Sequence, residues 1–266
     1  MKMDLQLQGK RALVTGSTAG IGFAIAQGLA KEGAAVIVNG RTEKRVEQAL
    51  SALKKAGVTG KLEGLAADLG TAEGTRTAIA RFPEMDILVN NLGIFEIKPF
   101  EDIPDADWLR LFEVNILSGV RLSRHYMPEM KKRDWGRIVF ISSESAIQIP
   151  AEMIHYGMTK TAQLAIARGS AETTAGTNVT VNSVLAGPTA SEGASNFIEN
   201  LARDQKTTRQ EVEREFFQNM RPTSLLKRMI EPQEVANLVT FVCSPLSAAV
   251  NGAALRADGG VVRSII

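Results

Sequence analysis

The sequence predicts an α/β fold: a single doubly wound parallel sheet of about seven strands with helices on both faces. Three observations predict it. Short runs that are apolar throughout alternate with longer helical patterns, which is how strands buried on both faces read. The 266 residues are 44% hydrophobic, enough for one large core. No linker, repeat or low-complexity segment divides the chain, so residues 1–266 are expected as one domain.

Residues 11–15 (Arg-Ala-Leu-Val-Thr) read as the first strand, and 21–32 as a helix that Gly33 stops. Residues 35–39 are the second strand, and 43–55 a helix ending at Gly57. Strands follow at 62–66 and 86–90, and 106–130 reads as one long helical stretch. A fifth strand at 137–142, an alanine-rich helix at 156–173 and a sixth strand at 179–184 continue the alternation. The apolar run 238–243 reads as a core helix that buries Cys243. One region breaks the pattern. From 191 to 231 there is no convincing strand; Phe197, Ile198 and Leu201 share one helical face, and Val212, Phe216, Phe217 and Met220 another. This segment reads either as a surface helical hairpin or as a lid over an apolar site, because such excursions lie at the C-terminal side of the strands.

The formal net charge is +2, and the densest basic patch is only Lys131-Lys132-Arg133. Nucleic acid is not expected as a partner. No stretch approaches the length of a membrane span, and the first nine residues hold no apolar leader region. The expected location is cytoplasmic, with no membrane partner. A single cysteine leaves no internal disulfide and no cysteine-built zinc site, and no metal is expected.

Thr15-Gly16-Ser17-Thr18-Ala19-Gly20-Ile21-Gly22 lies directly between the first strand and the first helix. Glycines there permit a tight turn and a close approach of backbone to a pyrophosphate. The helix N-terminus adds free N–H groups and the positive end of its dipole. At strand–turn–helix in the first unit, this is a strong dinucleotide signal of the Rossmann type. The second strand ends in Asn39-Gly40-Arg41-Thr42, with no acid before Glu43. A carboxylate there would hold a ribose 2′-hydroxyl, whereas Arg41 can pair with a 2′-phosphate. NADP is favoured, with NAD as the alternative. Asp68 can cap the next helix, bond an adenine amino group, or do both.

Of the two tyrosines, Tyr156 has Lys160 four residues on, whereas Tyr126 has Met130 there. A free phenol titrates near ~10, and a neighbouring ammonium lowers that value by stabilising the phenolate. Tyr156 can then give a proton to a carbonyl oxygen as hydride reaches the carbon, or take one in reverse. Ser143 ends the fifth strand, where its hydroxyl can bind the substrate oxygen. Ser142 points to the other face. Residues expected to face a substrate are Ile94, Phe95, Glu144, Ile147, Ile149, Met153, Leu185 and Phe197. Most are apolar, so the expected substrate is a small, mainly apolar ketone, aldehyde or secondary alcohol. Glu144 either orients a polar or cationic group or points to solvent.

Over essentially its whole length the sequence resembles the classical short-chain dehydrogenase/reductase family. Thr15-Gly16-x-x-x-Gly20-Ile21-Gly22 is similar to its cofactor motif. Asn90-Asn91-Leu92-Gly93 is similar to its Asn-Asn-Ala-Gly motif, with Leu92 at the alanine position. Asn115 resembles the family's active-site asparagine, and Ser143, Tyr156 and Lys160 match the rest of its tetrad. The resemblance implies catalytic roles for these four, with Asn115 helping to hold a water that links the lysine to a proton relay. It also implies cofactor contacts from Gly16, Ser17, Thr18, Gly20, Ile21, Gly22, Arg41, Asp68, Leu69, Asn91, Gly93, Tyr156, Lys160, Gly187, Pro188, Thr189 and Ser191. Ala186-Gly187-Pro188 stands where the family often has Pro-Gly, and Ser191 where a threonine often contacts the nicotinamide carboxamide. Residues 255–260 resemble the family's last strand and tail. Such families are often tetramers, so a homotetramer or homodimer is expected, with the helices at 106–130 and 156–173 forming interfaces. The activity implied is that of an NAD(P)-dependent oxidoreductase acting on a small-molecule carbonyl or alcohol. The alternative is a non-catalytic NAD(P)-binding redox sensor, which an incomplete tetrad would favour.

Overall fold

The computed structural model describes residues 4–58 and 60–265, apart from the side chains of residues 194, 196 and 197. Phe197, expected to face a substrate, therefore lies outside the described side chains. The strands are β1 (Arg11–Val14), β2 (Ala35–Gly40), β3 (Leu62–Ala66), β4 (Ile87–Asn90), β5 (Gly136–Ser143), β6 (Val179–Ala186) and β7 (Ala254–Ala257). They form one parallel sheet in the order β3-β2-β1-β4-β5-β6-β7. Every residue of β5 and β6 is buried, which is why these strands read as continuous apolar runs rather than alternating ones.

The pleat divides the core in two. Val14, Val38, Val89 and Ile141 face α1 (Gly20–Lys31) and α9 (Pro232–Val242). A Cβ on Gly28 would come 2.5 Å from Thr240 Oγ1, so the α1–α9 approach depends on the missing side chain. Leu13, Ile37, Leu88 and Phe140 face the other way, towards α3 (Ala72–Arg81), α5 (Ser118–Lys132) and α6 (Ile154–Glu172). The helix α2 (Glu43–Lys55) starts at Thr42, which accepts the Arg45 N–H. Cys243 is fully buried at the end of α9, as its apolar setting predicts, and burial pushes its thiol up to about 12.

One expectation is refined and one corrected. The helical stretch expected over 106–130 forms without a break, as α4 (Asp105–Phe112), a π turn at Glu113–Leu117 and α5. Such turns insert one extra residue and re-aim the side chains on either side. Asp68 does not cap α3. Thr71 does, accepting the Gly74 N–H at 3.0 Å, while Asp68 Oδ1 accepts the Gly70 N–H at 3.0 Å and closes the preceding turn. The Asp68 backbone packs against Gly74 in the helix's first turn, but its side chain is engaged by Gly70 instead.

Residues 191–231 hold α7 (Glu192–Asp204), α8 (Arg209–Glu215) and a π turn at Phe216–Met220. Ile198, Ala202, Val212, Phe217 and Met229 form a small apolar cluster of their own. Backbone bonds from Ile230 N–H to Pro188 O and from Ala190 N–H to Ile230 O, both 2.8 Å, tie the two ends of the segment together. No helix among the described residues is long and apolar enough to cross a membrane.

Candidate active site

From β1 the chain winds one way to β2 and β3, then returns to β1's other side for β4. A crevice forms at the C-terminal strand ends where the winding reverses. Here a cavity of about 410 Å³ opens there. Four strand ends furnish it: the glycine turn after β1, Asn91 and Gly93 after β4, Ser143 at the end of β5, and Gly187 after β6.

The glycine turn is held from three sides. Gly16 and Gly20 have φ of +61° and +56°, a region that favours glycine. A Cβ on Gly22 would lie 2.4 Å from Asn91 Nδ2 and 2.5 Å from Gly16 O. Asn91 Nδ2 donates to Thr15 O at 2.9 Å and to Gly16 O at 3.0 Å. Asn39 is buried; its Oδ1 accepts the Gly16 N–H, and its Nδ2 donates to Leu65 O and Ala67 O. One amide thus joins the ends of β1, β2 and β3. The Ser17 hydroxyl donates to Val14 O and accepts the Asn39 N–H. The N-terminus of α1 has neither a side-chain cap nor an acid in its first turn. Bare N–H groups, close backbone approach and no competing carboxylate fit the pyrophosphate of a dinucleotide.

Gly20, Ile21, Gly22, Asn91, Gly93, Tyr156, Lys160, Gly187, Pro188, Thr189 and Ser191 all line the cavity. Gly16, Ser17, Thr18, Arg41, Asp68 and Leu69 do not; they lie around the ends of β1, β2 and β3. Arg41 and Asp68 are exposed, whereas the Leu69 side chain is in the core. Ser191 lies over the turn, 3.2 Å from where a Cβ on Gly20 would sit.

The four residues matched to the tetrad come together. Asn115, inside the π turn, is fully engaged: Oδ1 accepts the Ile94 N–H at 2.8 Å, and Nδ2 donates to Ile94 O and Thr159 Oγ1. Lys160 Nζ donates to Ile141 O at 2.9 Å and Gln163 Oε1 at 3.3 Å, and lies 5.5 Å from the Tyr156 ring centroid. Gln163 Nε2 donates to Asn115 O at 2.7 Å, so this amide links the lysine to the asparagine. Ser142 Oγ donates to Lys160 O, while Ser143 Oγ accepts the Ser145 N–H and donates to Glu144 Oε2. A phenol, a hydroxyl, an ammonium and an anion cradle around one cavity can hold a carbonyl oxygen and pass it a proton.

The electrostatics correct one expectation. The Tyr156 phenol is not pulled down by Lys160; burial and the Glu144 charge hold it well above its ordinary value, and the Ser143 hydrogen bond and Arg221 offset this only in part. Lys160 itself is pushed down to about 8 by burial, against the pull of Glu144. Tyr126 plays no part: its hydroxyl donates to Phe82 O, and burial pushes it up to about 12.

Of the residues expected to face a substrate, Ile94, Phe95, Glu144 and Met153 line the cavity. Ile147 and Ile149 are exposed outside it, and Leu185 is in the core. Phe95 meets the Tyr156 ring edge-on at 6.1 Å. Glu144 does not point to solvent, nor is it free for a cation: it is buried and paired with Arg221. Arg221 and Gln163 escaped the sequence reading. Gln163 carries a usable hint, standing three residues after Lys160 on one helix; Arg221 carries none. From the 191–231 segment, Ile198, Phe216, Met220 and Met229 also line the cavity, so it is more than a surface hairpin.

The family described as short chain dehydrogenase matches residues 10–202. The protein called uncharacterized oxidoreductase YvaG, from Bacillus subtilis, is 55% identical over 263 residues, covering 99% of this chain and all of its own. D-beta-hydroxybutyrate dehydrogenase from Cupriavidus necator is 33% identical, covering 96% of this chain and 99% of its own. Among solved structures, L-sorbose reductase from Gluconobacter frateurii, complexed with NADPH and L-sorbose, superposes with a TM-score of 0.92 at 29% identity, over 99% of this chain and all of its own. On its fold, its strand-end site and these matches, the chain belongs to the short-chain dehydrogenase/reductase family of oxidoreductases.

Proposed function

We propose that this chain moves a hydride between NADP(H) and a small, mainly apolar ketone, aldehyde or secondary alcohol, with Tyr156 as general acid and base. The observation that carries the proposal is the convergence of Ser143, Tyr156 and Lys160 on the cavity that also holds the glycine turn. The dinucleotide supplies or removes the hydride at the substrate carbon, and its oxidised ring adds a positive charge. Tyr156 gives its phenolic proton to the substrate oxygen in reduction and takes it back in oxidation. A phenol that burial keeps protonated suits the donor role. Ser143 holds the substrate oxygen against Tyr156. Lys160 presents its ammonium beneath the ring, and Asn115 with Gln163 fixes the lysine in place. Gly16, Ser17, Thr18, Gly20, Ile21, Gly22, Asp68, Leu69, Asn91, Gly93, Gly187, Pro188, Thr189 and Ser191 seat the dinucleotide, several by backbone alone. NADP is preferred because Arg41 is exposed, has no ion pair among the described residues, and has no acid beside it before Glu43. The L-sorbose reductase with NADPH supports the same preference. The 191–231 segment serves as the substrate lid. A cytoplasmic homotetramer or homodimer completes the reading.

The test follows reduced-cofactor absorbance with a carbonyl panel, comparing NADPH with NADH. Turnover with NADPH that falls at least about 100-fold in Tyr156→Phe is expected, because the positioned acid is lost. Faster turnover with NADH refutes the role given to Arg41. Tight NADPH binding with no turnover across the panel favours the redox sensor, and failure to bind either dinucleotide overturns the proposal.

A further inference from the structure

Glu144 follows Ser143 directly and is 4% exposed. Its Oε2 accepts from Ser143 Oγ at 2.5 Å, and its Oε1 accepts from Arg221 Nε at 2.9 Å. Arg221 is 6% exposed and reaches in from the end of the 191–231 segment's π turn. Its Nη1 donates to Met220 O at 2.9 Å and Glu152 Oε1 at 3.4 Å. Its Nη2 forms no hydrogen bond among the described residues, and both Arg221 and Glu144 line the cavity with Tyr156. Nη2 is not fully buried, so this edge of the guanidinium is accessible and can donate to a ligand in the cavity.

Charge decides what the ligand is. Two carboxylates flank one guanidinium, so a substrate carboxylate meets net negative charge there. A substrate cation would have to compete with Arg221, already seated. A neutral hydroxyl fits, because it can accept from Nη2 and donate to a remaining lone pair of Glu144 or Glu152. Distance decides where that hydroxyl sits. A substrate oxygen that accepts the Ser143 proton in place of Glu144 Oε2 frees that carboxylate oxygen beside it, within reach of a group on the adjacent carbon. We infer that the Glu144–Arg221 pair reads a hydroxyl on the carbon next to the reacting one. The preferred substrates are then α-hydroxy carbonyl compounds in reduction and vicinal diols in oxidation. The remainder of the substrate lies against the apolar wall.

This inference rests on the hydride-transfer reading, and the test separates the two. Rates with NADPH are measured for ketone pairs that differ only in that hydroxyl: acetoin against butanone, and hydroxyacetone against acetone. The wild type is expected to favour the hydroxylated member by about 10- to 100-fold in kcat/KM. Arg221→Leu and Glu144→Gln should bring that ratio close to one, chiefly by slowing the hydroxylated member. Arg221→Lys keeps a donor and should keep part of the ratio. It also carries the test if Arg221→Leu does not fold, with folding judged by NADPH binding. Equal rates on both members in the wild type, or a ratio unmoved by all three variants, overturns the inference and leaves hydride transfer standing. No turnover of either member by the wild type overturns both.

Discussion

His155 stands next to Tyr156 on α6, fully buried and edge-on to Trp108 at 5.8 Å, and neither ring nitrogen has a hydrogen-bond partner among the described residues. Burial holds its pKa below the ordinary value; Glu96 and Asp107 pull it up, and Lys98 and Arg110 push it down. The unfolded chain takes up a proton near about 6.5 that the folded chain resists. Below that value the unfolded state binds more protons, so stability falls as pH falls. Unfolding free energy is therefore expected to drop more steeply from about pH 7 to about pH 5 in the wild type than in His155→Phe. Parallel slopes in denaturant titrations would show that His155 is charged in the fold. At this scale the sequence exposes what is local. Tyr156 and Lys160 are one helical turn apart and Ser143 ends a strand, so their meeting is legible. Arg221 is not, because Glu144 lies 77 residues away and only tertiary packing joins them; Gln163 shows only in its spacing from Lys160, not in its bond to Asn115, 48 residues away. The raised Tyr156 phenol was hidden for the same reason: spacing reveals a neighbouring charge but not the depth of burial.

The helix α8 is short, and its start is built with care. Thr208 Oγ1 accepts the Glu211 N–H while the Glu211 carboxylate accepts the Thr208 N–H, a reciprocal cap. Thr208→Ala removes half of that cap. Hydrogen exchange across 209–215 is expected to quicken about fivefold, while exchange in β5 and β6 is unchanged. Uniform quickening would mean that the segment does not open separately from the sheet. Strands and most helices follow directly from apolar periodicity. The π turn at Glu113–Leu117 does not, since Glu-Val-Asn-Ile-Leu continues an ordinary helical pattern. Its stability comes from Asn115 bonding across to Ile94, a contact with no trace in local composition.

Across the whole molecule, the strand–helix alternation predicted the sheet, and its seven parallel strands follow. What alternation does not reveal is which outer surfaces stay bare. Leu109 and Phe112 on α4 are 69% and 40% exposed, and Phe100, just before that helix, is 56% exposed. Large apolar side chains gathered on one helix face mark a contact surface. Light scattering is expected to give a multiple of 28.7 kDa, and Leu109→Asp to lower it. A wild type that is monomeric at micromolar concentration rules this out. The strand order also sets a schedule for synthesis. β1 pairs with β2 soon after both are made, but its other edge waits for β4, whose Ile87 pairs with Ala12. At about 5–20 residues per second, a growing chain leaves that edge open for about 4 to 15 seconds, a window in which an apolar strand can pair wrongly or meet a chaperone. The window closes when β4 docks, and Asn91 follows immediately to latch the glycine turn. The anion cradle is thus complete while Ser143, Tyr156 and Lys160 have yet to be made.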